Sequence, residues 1–309
     1  MKNALFFLLG ITLLGTSVVA QSGAGHADAA YLKELQDWQD QRVNNLKAPN
    51  GWLNLVGLYW LEEGPNTFGS GAGNKVVFPA GSIAAVGGVF ERSGDQVKLI
   101  AQEGVSIKVN GREVKEAVIF DKDSTKPATV ESGNLRWTII KRDDKIGVRL
   151  RDLNSPLVTG FPGIHRYPTD TAWRINAIFQ PATGPANIAI TNILGQTSQQ
   201  NTPGKLLFTI GGVQYTLDAL DEGGDAFFVI FGDETSGKTT YPSGRFLAVK
   251  KPAANSTATV IDFNKAYNPP CAFTHYATCP LPPRQNILPV AVTAGEKDYG
   301  NHGKSEASR

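Results

Sequence analysis

Apolar and polar residues alternate in "VSIKVNG" (105–111) and in "LRWTIIKR" (135–142). A period of two is the mark of a strand with one face in a core and one in solvent. The pattern recurs from residue 64 to about 152, and it predicts strands near 66–69, 75–78, 86–92, 95–101, 104–109, 117–121, 127–131, 135–141 and 146–151. Ser93-Gly94-Asp95, Asn110-Gly111 and Ser132-Gly133-Asn134 sit between these runs as hairpin turn signals. The expected product is a compact β-sandwich or barrel. Ahead of it, "DAAYLKELQDWQDQRVNNLK" (28–47) changes period: Tyr31, Leu35, Trp38 and Leu46 recur near helical spacing, and Asp28 stands at the capping position. A turn at Asn50-Gly51 and the apolar "GWLNLVGLYWLEEG" (51–64) follow, read as a lead-in strand or hairpin.

After residue 153 the text "LNSPLVTGFPGIHRYPTD" (153–170) carries three prolines and two glycines among aromatic and apolar residues, an ordered connection rather than a loose linker. Strands are predicted to resume at 172–181, 187–192, 205–210, 213–219, 226–231 and 244–250, and residues 262–297 read as irregular and proline-rich. The expected organisation is a signal peptide over 1–20, a helix and lead-in strand over 21–63, a sandwich over 64–153, a second β-rich region over 154–297 and a disordered tail over 298–309. The fold class is mainly β: a sandwich packed on a second β-rich region, with a short N-terminal helix.

The first residues, "MKNALFFLLGITLLGTSVVAQSG", place Lys2 before an almost unbroken apolar run, with Val18-Val19-Ala20 ahead of a cleavage point. This is the layout of a secretory signal, and the run is short for a bilayer span. A periplasmic or secreted protein is expected, with no membrane span after cleavage. The formal net charge is only +2 across 309 residues, and charged residues make up 19%. No charge field of that size argues for nucleic acid or an anionic membrane. Thirty-three glycines and eighteen prolines favour short strands and turns over long helices.

One stretch argues for different chemistry. Gly232, Gly237, Lys238 and Thr239 spell G-x-x-x-x-G-K-T after the apolar "AFFVIF". A phosphate-binding loop needs a helix to begin at that lysine, so that backbone N–H groups converge on the anion. Here Thr240, Tyr241, Pro242, Ser243 and Gly244 follow, a poor first turn for a helix. The stretch reads instead as a hairpin tip with Gly237 in the turn, and no nucleotide is expected.

The end of the chain carries the most specific text. "IDFNKAYNPPCAFTHYATCPLPPRQNILPVAVTAGEK" (261–297) resembles the signature of domain-of-unknown-function family 1684, with its DFN-x-AYNPPCA, TCPLPP and AGEK segments. "GVRLRD", "FPGIHRYPTDTAWRINAIF" and "DETSGKTTYPSGRFL" look like earlier blocks of the same family, and the resemblance runs over roughly residues 38–297. It implies no activity. The N-terminal β segment, residues 66–114, is also similar to forkhead-associated domains, which bind phosphothreonine. The arginine, serine and histidine of that phosphate clamp are missing: Gly69-Ser70 and Ala84-Ala85-Val86-Gly87 stand in their places. The similarity implies the sandwich shape and not the phosphopeptide function.

Candidate chemistry collects around the signature. Cys271 and Cys279 are the only cysteines, and a disulfide suits an oxidising compartment. A C-x3-H-x3-C metal site through His275, a nucleophilic Cys271 and two structural thiols are the alternatives; the metal reading lacks a fourth ligand, and neither a metal nor a cofactor is expected. A cleft between the two β parts is expected to hold a small molecule or glycan, lined by His165, Arg166, Tyr241, Arg245, Asp262, Asn264 and Asn268. Guanidinium forks suit carboxylates or phosphates. The competing reading pairs the arginines, Arg149 and Arg151 included, with Asp152, Asp170, Asp233 and Asp262 as staples. A hydrolase in the same cleft, with Asp262 or His275 as its base, is the alternative function. His26 and His302 lie in the expected tails, and neither G-x-S-x-G nor H-E-x-x-H occurs.

Overall fold

The computed structural model describes residues 28–124 and 126–300. The expected signal peptide lies outside the described residues, as do residues 301–309 of the expected tail. Among the described residues no helix is long and apolar enough to cross a membrane.

The chain is mainly β, in two parts with separate cores. In the first, strands Leu135–Arg142 and Lys145–Asp152 pair along their full length, and Leu55–Trp60 adds to the second of them. The six-stranded sheet that contains them faces a five-stranded sheet built on Gly64–Gly69, Gly88–Ser93, Gln96–Ala101 and Glu116–Asp121. Phe68, Phe90, Trp137, Val148 and Leu150 fill the space between the sheets, all at 0% exposure. The alternation predicted this: Leu135, Trp137 and Ile139 point inward, as do Ile146, Val148 and Leu150 on the neighbouring strand. Leu55–Trp60, expected as a lead-in, is a strand of this sandwich, so the sandwich begins at Leu55 and not at residue 64.

In the second part, Arg174–Pro181 lies between Gly204–Ile210 and Ala258–Asp262, with Val213–Ala219 at the edge. Ala226–Phe231 and Arg245–Lys250 form a hairpin in register Phe231↔Arg245. Thr235 accepts three backbone bonds, from Lys238, Thr239 and Thr240, and the chain then enters Arg245–Lys250 as a strand. Gly237 turns with φ +75°. The P-loop spelling is therefore a hairpin tip, as its proline and glycine indicated. Two strands of this second part escaped the pattern. Thr197–Asn201 is polar throughout because it is an exposed partner of Asn187–Thr191, and Ala258–Asp262 buries only Ile261 fully.

The run "AFFVIF" is apolar without alternation, and the hairpin is accordingly covered on both faces. Phe227, Val229 and Phe231 enter the second core, whereas Phe228, Ile230 and Phe246 face the first part with Trp52 and Tyr267. The N-terminal helix, Ala29–Lys47, begins at Asp28, whose side chain accepts from the Ala30 N–H. It packs on the second part across most of the sequence: Tyr31 donates to both Asp262 oxygens at 3.0 Å. Asp298 and Tyr299, placed in the expected tail, are held by the body; Asp298 N donates to Thr239 O at 3.0 Å, and the Tyr299 ring stacks on Phe161.

Cys271 and Cys279 form a disulfide with Cα atoms 6.1 Å apart, which removes the metal, nucleophile and free-thiol readings. The bridged loop joins the two parts: Thr274 Oγ1 donates to Leu55 O at 3.0 Å, and Phe273 packs with Leu46 and Leu53. Closing so short a loop stabilises the fold by about 2–3 kcal/mol through the unfolded chain. Cys279→Ser is expected to lose that amount in a urea titration, and denatured, unreduced protein is expected to show no titratable thiol. Two reactive thiols per chain would contradict the bridge.

Candidate ligand cleft

Of the seven residues expected to share a cleft, Arg166, Arg245, Asp262, Asn264 and Asn268 are placed in three internal networks instead. Arg245 is at 0% exposure. Its Nη2 lies 2.9 Å from Asp233 Oδ2 and 2.9 Å from Val292 O, and its Nη1 donates to Ala294 O. Burial pushes its pKa down, and Asp233 opposes that shift. Asp262 accepts from Tyr31 and caps the turn at Asn264 N (3.1 Å); Asn264 Nδ2 donates to Asp170 O at 2.9 Å. Asn268 N donates to Glu296 Oε2 at 2.7 Å, Arg42 Nε lies 3.1 Å from Glu296 Oε1, and Arg166 Nη2 lies 3.8 Å from it. Tyr241 is buried against Leu46, Ala272 and Phe273, and burial raises its pKa. His165 and His275 are exposed, and the His165 carbonyl accepts from Lys297 N. None of the seven lines the cavity between the two parts, because the protein itself uses most of their polar atoms. Asp262 is engaged in the same way, and His275 lines none of the cavities described below.

A cavity between the parts does exist, with other walls. It has a volume of about 410 Å³. The outer face of the six-stranded sheet supplies Arg142 and Arg149, the segment before Leu55–Trp60 supplies Trp52, and the helix supplies Arg42. Phe228, Phe246 and Tyr267 form its apolar side, and the disulfide loop contributes Thr278 and Cys279. A second chamber of about 330 Å³ shares Arg142, Glu222, Phe228, Thr278 and Pro280 with the first, so the two are adjacent. Its further walls carry Asn192, Gln196, Thr197, Ser198 and Gln200, a second carboxylate, Asp143, and the apolar Ile190, Leu220 and Ile230. A larger hollow of about 640 Å³ lies along residues 101–106 and 113–115, at the edge of the sandwich. It brings no arginine or aromatic side chain to its wall, whereas the cleft converges groups from both parts, the usual setting of a ligand site.

Alternation explains why the arginines are there. With Val148 and Leu150 turned inward, Arg149 and Arg151 must project from the opposite face, as must Arg142 opposite Ile139 and Trp137. Among the described residues no carboxylate lies within ion-pair distance of Arg142, Arg149 or Arg151. Of the staples expected from sequence, only Arg245–Asp233 forms. Arg149 lies over the Trp52 ring at 5.4 Å, and its Nε is buried with no hydrogen-bond partner. Burial first, then the neighbouring charges of Arg142 and Arg151, push its pKa down to about 10; it stays protonated at neutral pH. Arg142 Nε reaches Thr278 Oγ1 at 3.5 Å. Arg42 stands differently, since Glu296 already neutralises it. The signal for Arg142 and Arg149 was present in "LRWTIIKR" and "GVRLRD", but only the packing of the second part turns that sheet face into a cavity wall.

Fold and site together define a two-part β protein with a basic, aromatic cleft between the parts. Residues 159–297 match the family described as Protein of unknown function (DUF1684). The matched residues are the second part and the signature; the helix and sandwich, expected within the resemblance, lie outside the match. The chain is also similar to the solution NMR structure of an uncharacterised protein from Haloarcula marismortui. The two are 28% identical over 47% of this chain and 80% of that one, with a TM-score of 0.39. No curated protein matches the chain. Glu222, Phe228, Phe246, Tyr267 and Thr278 of the cleft fall inside the family segment, whereas Arg42, Trp52, Arg142 and Arg149 fall before it.

Proposed function

We propose that the protein binds a small polar ligand in the cleft between its two parts, outside the cytoplasm. The single observation that carries the reading is the Arg149 guanidinium. It is held over Trp52 at the wall of a 410 Å³ cavity, with no protein acceptor at its buried Nε. A buried donor left unmade destabilises a protein by about 1–3 kcal/mol, and a bound acceptor would remove that penalty. The extracytoplasmic setting is supported by the disulfide and by the signal-like first residues. A hydrolase gains no comparable support, since Asp262 is engaged by Tyr31 and Asn264.

The test is a thermal-shift panel of sugars, sugar acids, amino acids and short peptides. A ligand at one hundred times its Kd should stabilise the folded chain by about 2.7 kcal/mol. Thr278 lines both chambers and is only half-buried, so Thr278→Trp should fill the cleft and abolish every true shift. A panel without shifts, or shifts that survive in a folded Thr278→Trp protein, would overturn the proposal.

A further inference from the structure

We infer that the cleft takes an acidic sugar, its anionic group set between Arg149 and Arg142 and its hydroxylated body in the second chamber. This rests on the cleft reading above and specifies the ligand. The anion is called for by charge. The wall of the first chamber carries Arg42, Arg142 and Arg149 against one carboxylate, Glu222, and Arg42 is already paired with Glu296. Two guanidinium groups therefore face the cavity without a counter-ion, one of them with a buried donor lacking an acceptor. A planar fork of N–H donors fits a carboxylate or an oxyanion of sulfate type, which accepts two bonds at once.

The body follows from the chamber next door. Gln196 and Gln200 bring amides there, and Thr197 and Ser198 bring hydroxyls, the Thr197 one 2.8 Å from Thr191 Oγ1; Asn192 is spent on its own turn. Amides and hydroxyls both donate and accept, as sugar hydroxyls require. Asn192 Oδ1 is occupied by the Leu194 and Gln196 N–H groups, and its Nδ2 by Gln196. Gln200 donates to Ser198 at 2.9 Å. Thr278 stands where the chambers meet, beside Arg142, so a ligand anchored at the arginines extends past it into the polar chamber. Asn192, Gln196, Thr197, Ser198 and Gln200 fall inside the matched segment 159–297, whereas Arg142 and Arg149 do not. The sugar-facing and anion-facing halves thus come from different parts of the chain.

The experiment is an array of uronate-containing oligosaccharides, sulfated oligosaccharides and their neutral counterparts, in which the uronates are methyl-esterified and the sulfates removed. It is read with the wild-type chain, Arg149→Gln and Arg149→Lys. Acidic members are expected to bind roughly 10–100-fold more tightly than their neutral counterparts. Arg149→Gln should erase that preference, and Arg149→Lys should restore part of it by returning charge without the fork. Binding should weaken as salt is raised. Whichever acidic series binds tells carboxylate from sulfate. Equal binding of acidic and neutral members would overturn the anion assignment and leave the cleft reading standing. Acidic binding untouched by Arg149→Gln would overturn the placement. An array with no sugar bound would overturn the ligand class, and the wider thermal-shift panel then decides the cleft reading separately.

Discussion

Asp233→Ala is expected to lower folding stability by about 3–5 kcal/mol, the range for breaking one side of a buried ion pair. Arg245 is wholly buried and Asp233 nearly so, at 0% and 6% exposure. The carboxylate does more than pair. Its Oδ2 lies 2.9 Å from Arg245 Nη2, while its Oδ1 accepts from Thr235 N (2.8 Å), Thr235 Oγ1 (2.6 Å) and Val292 N (3.2 Å). The guanidinium in turn holds the carbonyls of Val292, Ala294 and Glu296. The pair thus ties the hairpin tip to the closing segment 292–296. Alanine leaves a positive charge in a dry site, which is worse than having no pair at all. Urea unfolding of Asp233→Ala, Arg245→Met and the double variant checks this. The double variant should be less unstable than the sum of the singles, because both charges leave together. A loss below about 1 kcal/mol for Asp233→Ala would sink the assignment.

Glu296→Ala is expected to destabilise by about 3 kcal/mol and to loosen the helix Ala29–Lys47 before the rest of the fold. Glu296 is at 0% exposure and is the shared acceptor for Arg42 Nε and Asn268 N. Arg42 also donates to Asn268 O at 2.8 Å and lies over the Tyr267 ring at 4.7 Å. Without the carboxylate, two arginines face each other across a buried space, and the helix keeps Tyr31–Asp262 and Lys265–Glu34 as its other polar links to the second part. Hydrogen exchange should rise in residues 29–47 well above its rise in the sandwich strands. A uniform rise would mean that Glu296 supports the body as a whole and not the helix. Because the Glu296 carboxylate also acts electrostatically on Arg245, the Asp233 and Glu296 variants are coupled and should not add.

Local physics made much of the fold legible. The helix was readable because Tyr31, Leu35 and Leu46 needed one face, and those three are its buried residues. Most strands of the sandwich were readable because they have one apolar face; the two-residue Arg112–Glu113, exposed and charged, was not. Thr197–Asn201 was not, since an exposed hairpin strand has no core to impose a period. The site was legible only in part. Polar density around Asp262, Asn264 and Asn268 pointed to a cleft, but polar residues cluster equally where irregular chain must satisfy its own backbone. These residues serve that purpose. The cleft is lined by Arg142 and Arg149, spaced like ordinary surface charges, and by Trp52, which reads as core.

What the sequence by itself determined is which face each residue takes. Periodicity is a local property, so it put Trp137 and Val148 inside and Arg149 outside, and proline and glycine turned "GDETSGKTT" into a hairpin tip. The tertiary structure alone decided what each outward face meets. The disulfide loop and the two-faced hairpin Ala226–Phe231 with Arg245–Lys250 bring the second part against the sheet, enclosing Arg149 and leaving it without an acceptor at Nε. Partners from opposite ends of the chain, Tyr31 with Asp262 and Arg42 with Glu296, took up the polar groups that seemed free. Such pairings depend on long-range packing, which no local period encodes.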